Sequence, residues 1–213
     1  MLELAPSLLA ADLLCLGEEI RSMLDCGVRL LHFDVMDAHF VPNLSFGPSL
    51  CRRVHEAFPS CRMDVHLMMD NPEDYIDAFA RARAESVTVH QEIKGDLPRI
   101  LRGIRENGMR CGLSVKPGTD VRALAPYLEM LDIVLIMTVE PGFGGQRFMP
   151  EQREKIRWLR GAGFRGIISV DGGVNPDNAK LLCEAGATRL VMGTAFFKAE
   201  DRKKTADSMR SLA

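Results

Sequence analysis

Strand and helix signals alternate along the whole chain, and this alternation constrains the fold more than any other feature of the sequence. Eight units of roughly 25 residues follow one another, each an apolar run followed by a segment with helical spacing. Such alternation predicts a parallel sheet with right-handed crossovers. Eight units can close into a (β/α)8 barrel, and an open doubly wound sheet is the alternative. We therefore predict an α/β fold, a (β/α)8 TIM barrel, as a single domain over residues 1–213.

The predicted elements can be placed by their apolar spacing and their turn residues. The strands cover residues 3–9, 28–36, 63–68, 86–90, 110–115, 132–138, 166–170 and 188–192. The helices cover residues 14–26, 48–57, 71–83, 97–107, 121–128, 150–160, 176–184 and 195–209. In a barrel the functional site lies at the carboxyl ends of the strands, so polar residues at those ends are the candidates.

The composition excludes several classes of function. The net charge of −2 gives no field strong enough to hold nucleic acid. No apolar run is long enough to cross a bilayer, and the first residues lack the pattern of a signal peptide. The six cysteines are scattered without a C-x-x-C spacing, which favours reduced thiols over a zinc–thiolate site. We expect a cytoplasmic protein that binds neither nucleic acid nor a membrane.

The second predicted strand carries an imidazole and a carboxylate on one face. Side chains alternate along a strand, so His32 and Asp34 share the face opposite the apolar Leu31, Phe33 and Val35. Burying such polar groups without partners costs about 2–7 kcal/mol each. A metal ion would satisfy both.

Two further strand ends supply the remaining candidate ligands. His66 has the same parity near the end of the third strand, and Asp171 follows the seventh. Two imidazoles and two carboxylates suit one divalent ion, such as zinc, iron, manganese or cobalt. Each residue alone has an ordinary structural reading, but their joint occurrence on three strand ends favours the metal. Asp64 lies deeper, and we expect it to support the ligands or to be a satisfied core carboxylate.

Glycines follow the last three strands. Glycine lets backbone N–H groups approach an anion, and barrels often bind phosphate after strands seven and eight. A phosphorylated substrate is therefore predicted, the alternative being that the glycines only make turns. The first of these segments is also a candidate lid. The segments comprise Gly142, Phe143, Gly144 and Gly145, then Gly172 and Gly173, then Gly193 with Thr194.

Three methionines end strands with inward parity: Met36, Met68 and Met137. The ordinary interpretation is that these methionines belong to the hydrophobic core. The functional interpretation is that they form a polarizable wall that excludes water from the reacting carbons. Ser7, after the first strand, could hydrogen-bond a substrate hydroxyl. His90 and Glu92 end the fourth strand, and we expect them only to line the mouth of the barrel.

Taken together, these segments resemble the ribulose-phosphate 3-epimerase family over nearly the whole chain. The family is a TIM barrel that interconverts D-ribulose 5-phosphate and D-xylulose 5-phosphate in the pentose phosphate pathway, and its members often form homo-oligomers. The matching segments are APSLLA (5–10), HFDVMD (32–37), HFVPN (39–43), DVHLM (64–68), MTVEPGFGG (137–145), VDGG (170–173) and GT (193–194).

The resemblance implies a role for each matching residue. Asp34 and Asp171 would be the acid/base pair, and both would bind the metal with His32 and His66. The substrate contacts it implies are Ser7, His66, Gly142, Phe143, Gly144, Gly145, Asp171, Gly172, Gly173, Gly193 and Thr194. Two positions depart from the family pattern: Ala38 stands where glycine is usual, and Thr194 where serine is usual.

The implied chemistry is consistent on its own terms. Inverting C3 of a ketose requires a base on one face of the carbon and an acid on the other, through an enediolate that the metal would stabilise. One rival is an epimerase of another ketose phosphate, such as allulose 6-phosphate. A decarboxylase or aldolase would need a catalytic lysine, and Lys116 is the only candidate. A non-catalytic sugar-phosphate binding protein is the remaining rival, although it has no need of two opposed bases.

Overall fold

Eight parallel strands form one sheet that closes on itself. The strands are β1 (Glu3–Pro6), β2 (Leu30–Met36), β3 (Arg62–Met68), β4 (Ser86–His90), β5 (Arg110–Val115), β6 (Ile133–Met137), β7 (Ile167–Asp171) and β8 (Arg189–Met192). This computed structural model describes residues 2–212. The strands follow the order β1-β8-β7-β6-β5-β4-β3-β2. A parallel bridge between Ser7 and His32 brings the first strand against the second and closes the ring. The predicted (β/α)8 barrel is confirmed, and the open sheet is wrong.

The strands are apolar on both faces because both faces are covered. All five residues of β6 are buried. Val134 and Ile136 belong to the large core between the strands and the helices, whereas Leu135 and Met137 belong to a separate small cluster. Strands covered on both faces have nearly continuous apolar sequences. Polar residues inside this barrel therefore stand out against their neighbours.

Helices fill the connections between the strands. They are α1 (Leu16–Asp25), α2 (Pro48–Ala57), α3 (Ile76–Arg81), α4 (Leu97–Glu106), α5 (Arg153–Gly161), α6 (Pro176–Ala185), α7 (Thr194–Phe197) and α8 (Arg202–Arg210). Their ends follow the usual capping chemistry. The side chain of Asn175 accepts from the N–H groups of Asp177 and Asn178 at the start of α6, and Gly186 ends it with a left-handed backbone.

The last helix, predicted over residues 195–209, is two helices. The side chain of Asp201 accepts a hydrogen bond from the N–H of Lys204, which starts α8 as a new helix. Arg202 donates to the carbonyl of Phe197 across the break, at 2.6 Å. The prediction missed the break because neither glycine nor proline interrupts residues 195–209.

Several other predicted elements are 3-10 helix in whole or in part. The connection between β5 and β6 is a 3-10 helix over Val121–Met130 with Pro126 inside it, and proline has no N–H for an α-helical hydrogen bond. The first strand ends at Pro6 instead of residue 9. Shorter 3-10 turns occupy Leu8–Ala10, Leu13–Cys15, Pro72–Asp74 and Pro150–Gln152.

An ion-pair network closes the amino-terminal end of the barrel. Arg189 is fully buried there and donates to Glu3 at 2.7 Å and to Asp64 at 2.9 Å. Arg62 bridges Glu3 and Glu85 at 2.9 and 3.2 Å. The buried guanidinium of Arg189 is tolerated because two carboxylates, those of Glu3 and Asp64, pair with it.

All six cysteines are free thiols, as the sequence analysis expected. Burial raises the pKa of Cys51, Cys61 and Cys111 to about 12, which makes these thiols unreactive. Within residues 2–212, each helix is too short or too polar to cross a membrane.

Candidate active site

A cavity of about 690 Å³ opens at the carboxyl ends of the strands. Its wall includes almost every residue that the sequence analysis proposed as a substrate contact: Ser7, Gly142, Phe143, Gly144, Gly145, Asp171, Gly172, Gly173, Gly193 and Thr194. The predicted contact His66 is fully buried behind Asp34 and does not line the cavity. The folding of the barrel alone therefore brings together segments that are far apart in the sequence.

The four predicted metal ligands lie close together, and two of them, Asp34 and Asp171, line this cavity. His32, Asp34, His66 and Asp171 each offer one ligand atom, and these atoms all lie within 4.8 Å of one another. We call these residues the four-residue cluster. Three of them lie on the neighbouring strands β2 and β3, where Asp34 and His66 are directly paired in register. Asp171 comes from β7, and the cluster is thus built by closure of the ring.

The orientation of His32 is fixed from behind by Asp64. The Nδ1 atom of His32 lies 2.9 Å from Oδ2 of Asp64. Asp64 also accepts hydrogen bonds from Ser86 and from Arg189, so it is a well-satisfied carboxylate. Its supporting position agrees with the sequence-based expectation. The other ring nitrogen, Nε2, is buried and has no hydrogen-bond partner among residues 2–212, and it faces Oδ1 of Asp34 at 3.4 Å.

His66 is held between Asp34 and a second histidine. Its Nδ1 lies 3.1 Å from Oδ1 of Asp34, and its Nε2 lies 2.8 Å from Nε2 of His90. His90 in turn contacts Oε2 of Glu92 through Nδ1, at 3.1 Å. His90 is fully buried, so the expectation that it only lines the mouth of the barrel is wrong.

The hydrogen bonds around Glu92 make it an ionised acceptor. Its Oε1 accepts from the backbone N–H of Lys116 at 2.7 Å and from the hydroxyl of Thr119 at 2.5 Å. Burial acts to raise the pKa of Glu92, but the hydrogen bonds from His90, Thr119 and Lys116 outweigh it and lower the pKa to about 2. Burial lowers the pKa of His90 to about 4, so this ring is neutral at pH 7.

The two aspartates of the cluster have opposite electrostatic environments. Burial acts to raise the pKa of Asp34, but the neighbouring imidazole groups of His32 and His66 outweigh it and hold the pKa well below its usual range. Burial and the negative charge of Asp34 raise the pKa of Asp171 to about 6. Ser7 donates its hydroxyl hydrogen to Oδ2 of Asp34 at 2.6 Å. Two carboxyl groups whose pKa values are pushed apart are typical of acid/base pairs.

The four-residue cluster fits a divalent metal ion. Ligand atoms about 2.1 Å from one ion lie within roughly 4.2 Å of each other, so a separation of up to 4.8 Å needs only small adjustments. The buried Nε2 of His32 has no other partner to satisfy it. Imidazole and carboxylate ligands together suit zinc and other first-row divalent metals.

The segments after β6, β7 and β8 shape the rest of the cavity with backbone. We call residues 142–145, 172–173 and 193 the glycine loops. A Cβ on Gly172 would lie 2.8 Å from the backbone nitrogen of Val139, and φ there is 116°, so only glycine fits. Gly144 has an ordinary φ and no neighbour within 4 Å of a Cβ. Within residues 2–212 the N–H groups of Gly142, Gly144 and Gly145 have no backbone acceptor.

Side chains connect the glycine loops to the barrel. Thr138 donates its N–H and its hydroxyl to the carbonyl of Asp171, at 2.7 and 2.9 Å. Asn43, in the loop after β2, donates to the carbonyl of Gly142 at 2.7 Å. The loop that was predicted to be a lid thus contacts the opposite side of the mouth.

The three predicted methionines all line the cavity. Met36 and Met68 pack with Val41 in one apolar cluster, and Met137 packs with Leu135 and Val139 in another. All three are buried, so they belong to the core and to the wall of the cavity at once. Their predicted role over the reacting carbons stays a prediction.

Sequence reasoning missed Arg189 altogether and misjudged His90. A signal for Arg189 exists, since Glu3 and Arg189 are opposite charges at the starts of β1 and β8, which the barrel pairs in register. For His90 the signal is its parity with Thr88, the register partner of His66. Recognising either signal requires the register between neighbouring strands, which cannot be read from the sequence alone.

Comparisons with known proteins show which family this chain resembles. The family model described as the ribulose-phosphate 3 epimerase family matches residues 3–197. A ribulose-phosphate 3-epimerase of Bacillus subtilis (strain 168) is 42% identical over 215 residues, 99% of each chain. A cytoplasmic isoform from Oryza sativa subsp. japonica is 39% identical over 212 residues, 98% of this chain and 92% of that one.

Solved structures match at the level of the fold. The 3-hexulose-6-phosphate synthase from Salmonella typhimurium has a TM-score of 0.76, covering 99% of this chain and 98% of its own. At 16% identity this likeness shows the barrel and nothing about the reaction.

Proposed function

The chain belongs to the ribulose-phosphate 3-epimerase family and is an epimerase, and we propose that it interconverts D-ribulose 5-phosphate and D-xylulose 5-phosphate by proton transfer between Asp34 and Asp171. One observation carries the proposal. The two aspartates enter the same cavity from β2 and β7, which β1 and β8 separate in the ring. A sugar lying between them would present one face of C3 to each carboxyl group.

The environments of the two aspartates suit opposite halves of this reaction. Inversion at C3 removes a proton from one face and returns one to the other. Asp34 is ionised and accepts the hydroxyl hydrogen of Ser7, so it can take a proton from the substrate. Asp171, with a pKa raised to about 6, can carry the proton that is delivered to the other face. In the reverse reaction the two exchange roles.

A metal ion would complete the site. His32, Asp34, His66 and Asp171 would hold one divalent ion, whether zinc, iron, manganese or cobalt. When bound, the ion supplies positive charge beside substrate oxygens on which negative charge develops. Each carboxylate has two oxygens, so an aspartate can hold the ion with one and exchange a proton through the other.

The remaining wall of the cavity would hold the rest of a phosphorylated ketose. We propose that the glycine loops and Thr194 bind the phosphate, because backbone N–H groups without acceptors are available there. Met36, Met68 and Met137 would exclude water from the reacting carbons.

Exchange of the C3 hydrogen with solvent tests the reaction directly. Purified protein loaded with each of the four metals is incubated with D-ribulose 5-phosphate in D2O, and C3 is followed by NMR. We expect D-xylulose 5-phosphate with deuterium at C3. Allulose 6-phosphate in a parallel incubation tests the hexose rival, and faster turnover of that sugar would contradict the pentose assignment. Binding without exchange with any metal would make the protein a sugar-phosphate binder.

Two single substitutions test the proton transfer. Asp34→Asn and Asp171→Asn should each reduce kcat at least 10³-fold, because an amide cannot accept or deliver the proton. Asp70→Asn, at an exposed aspartate outside the cavity, is the matched control and should keep full activity. Activity near the wild-type level in either test variant would remove that residue from the acid/base pair.

Two further expectations belong to the same proposal. We propose a homo-oligomer in the cytoplasm, in line with the relative whose name records a cytoplasmic isoform. Light scattering coupled to size-exclusion chromatography measures the mass directly. A single species of 23.7 kDa would contradict the oligomer.

A further inference from the structure

We propose that His90 and Glu92 are positioning residues that place the proton of His66 on Nε2 and leave Nδ1 free as a metal ligand. This inference rests on the proposed metal site. It assigns a role to a chain of contacts that runs from His66 through His90 and Glu92 to Thr119. We call this chain the relay.

The direction of every hydrogen bond in this chain follows from its outer end. Glu92 is a carboxylate and can only accept. Its Oε1 accepts from Lys116 and Thr119, which leaves Oε2 to accept from Nδ1 of His90. A neutral His90 with its proton on Nδ1 has a lone pair on Nε2. That lone pair must accept from Nε2 of His66, 2.8 Å away.

Charge and packing disfavour a second proton on His90. The ring is fully buried and packs against Phe40, with 4.7 Å between the ring centroids. The ammonium of Lys116 lies 3.7 Å from the centroid of the same Phe40, on the aromatic ring that contacts His90. A cationic His90 would therefore lie near another cation in a site of low polarity.

The consequence appears at the other nitrogen of His66. With its proton on Nε2, His66 directs the lone pair of Nδ1 at Oδ1 of Asp34, at 3.1 Å. Two lone pairs at this separation repel each other unless a cation lies near both. The relay thus makes a short contact between two acceptors into a site that needs a cation. His32 is arranged in the same way, with Asp64 behind Nδ1 and an unpartnered Nε2 in front.

The turn that holds Glu92 is itself secured. Lys155 donates to the carbonyls of Lys116 and Pro117, at 2.8 and 2.7 Å. The relay therefore connects the loop after β5 to a ligand on β3. Hydrogen-bond partners behind metal ligands typically change metal affinity by 10- to 100-fold when they are mutated.

Glu92→Gln reverses the relay with little change of shape. The oxygen of the amide would face the donors Lys116 and Thr119, and its NH2 group would then face Nδ1 of His90 as a donor. The proton of His90 would move to Nε2, His66 would accept there, and its Nδ1 would carry the proton that blocks the metal. We expect zinc affinity to fall 10- to 100-fold, measured by competition with a chromophoric chelator after metal removal.

Glu85→Gln is the matched control. The side chain of Glu85 is 22% exposed against 20% for Glu92, and it contacts Arg62 at the opposite end of the barrel. Its zinc affinity should equal that of the wild type. Equal affinities of Glu92→Gln and wild type would overturn the relay. A wild type that binds no zinc would instead overturn the proposed metal site itself, so the two failures are distinguishable.

Imidazole NMR of the wild type needs no variant and so does not depend on how a variant folds. Two-bond 1H–15N spectra of histidine-labelled, zinc-loaded protein report which ring nitrogen carries the proton. We expect the proton on Nε2 of His66 and on Nδ1 of His90. A proton on Nδ1 of His66 in the zinc-bound protein would refute the inference, whatever the affinity measurements give.

Discussion

The two sides of the cavity are built in different ways. On the side of β2, β3 and β4, which we call the side-chain side, buried side chains make the site. His32, His66 and His90 each have a hydrogen-bond partner behind the ring. On the side of β6, β7 and β8, which we call the backbone side, the glycine loops contribute backbone to the wall and present N–H groups to the cavity. The first side fixes directions of lone pairs and protons, whereas the second fixes a shape. Substitutions should therefore act on the two sides through different physical terms.

The largest effect should follow from removing the buried charge that supports the side-chain side. Arg189→Met leaves Glu3 and Asp64 without their shared cation, and loss of one partner of a buried ion pair costs about 3–5 kcal/mol. For a chain of this size that lowers Tm by about 6–20 °C, which thermal unfolding followed by circular dichroism measures.

Arg110→Met is the control for this substitution. Arg110 is 49% exposed and pairs with Glu85 at 3.5 Å, so its loss should cost less than about 1 kcal/mol. A Tm of Arg189→Met within 2–3 °C of the wild type, about the effect of 1 kcal/mol, would show that the side-chain side does not depend on its charge network.

An effect of intermediate size is expected from two glycine substitutions on the backbone side, which distinguish the packing role of one glycine from the binding role of the other. Gly172→Ala forces a Cβ into the backbone of Val139 at a φ of 116°, so we expect a loss of about 2 kcal/mol in the free energy of unfolding. Gly144→Ala meets nothing within 4 Å and should leave stability unchanged. If the N–H groups near Gly144 bind phosphate, its variant should instead raise KM several-fold with little change in kcat.

Urea unfolding and steady-state kinetics on both variants decide between these readings. An unchanged KM for Gly144→Ala would remove this glycine from the proposed phosphate site. An unchanged midpoint for Gly172→Ala would mean that the neighbouring loop can shift to admit a Cβ.

The sequence predicts the side-chain side of the cavity better than the backbone side because the two sides are built in different ways. Strand parity places His32, Asp34 and His66 on inward faces, and parallel strands end together, so their meeting with Asp171 follows from the fold alone. The relay through His90 depends on the register of β3 against β4, which no local pattern specifies. The glycine segments could be located, but whether a glycine is required by packing, as Gly172 is, or is free of neighbours, as Gly144 is, depends on contacts across the barrel.

The break between α7 and α8 was missed for a related reason. Neither glycine nor proline interrupts residues 195–209, and only the hydrogen bond from the N–H of Lys204 to Asp201 reveals a new start. A capping residue that no helix breaker precedes is a weak signal when read from sequence alone.

The smallest effect should come from backbone strain in the loop after β2. Ala38 has a φ of 66°, in the left-handed region that glycine adopts freely. A left-handed alanine costs about 1–2 kcal/mol, while glycine loses about 0.4–1 kcal/mol more in unfolded-chain entropy. Ala38→Gly should therefore gain about 0.8 kcal/mol in the free energy of unfolding, the middle of the range that these two terms allow, or roughly 2–3 °C in Tm.

Activity should not change in Ala38→Gly, because the loop keeps its other constraints. The N–H of Ala38 donates to the carbonyl of Asn43 at 2.9 Å, and Asn43 still reaches Gly142. These two hydrogen bonds thus set the conformation of the loop. The methyl group of Ala38 takes part in neither and only adds strain. A lower Tm would mean that the methyl group packs favourably and outweighs the strain. A lower kcat at equal stability would mean that the contact between the two sides of the mouth depends on the stiffness of this loop.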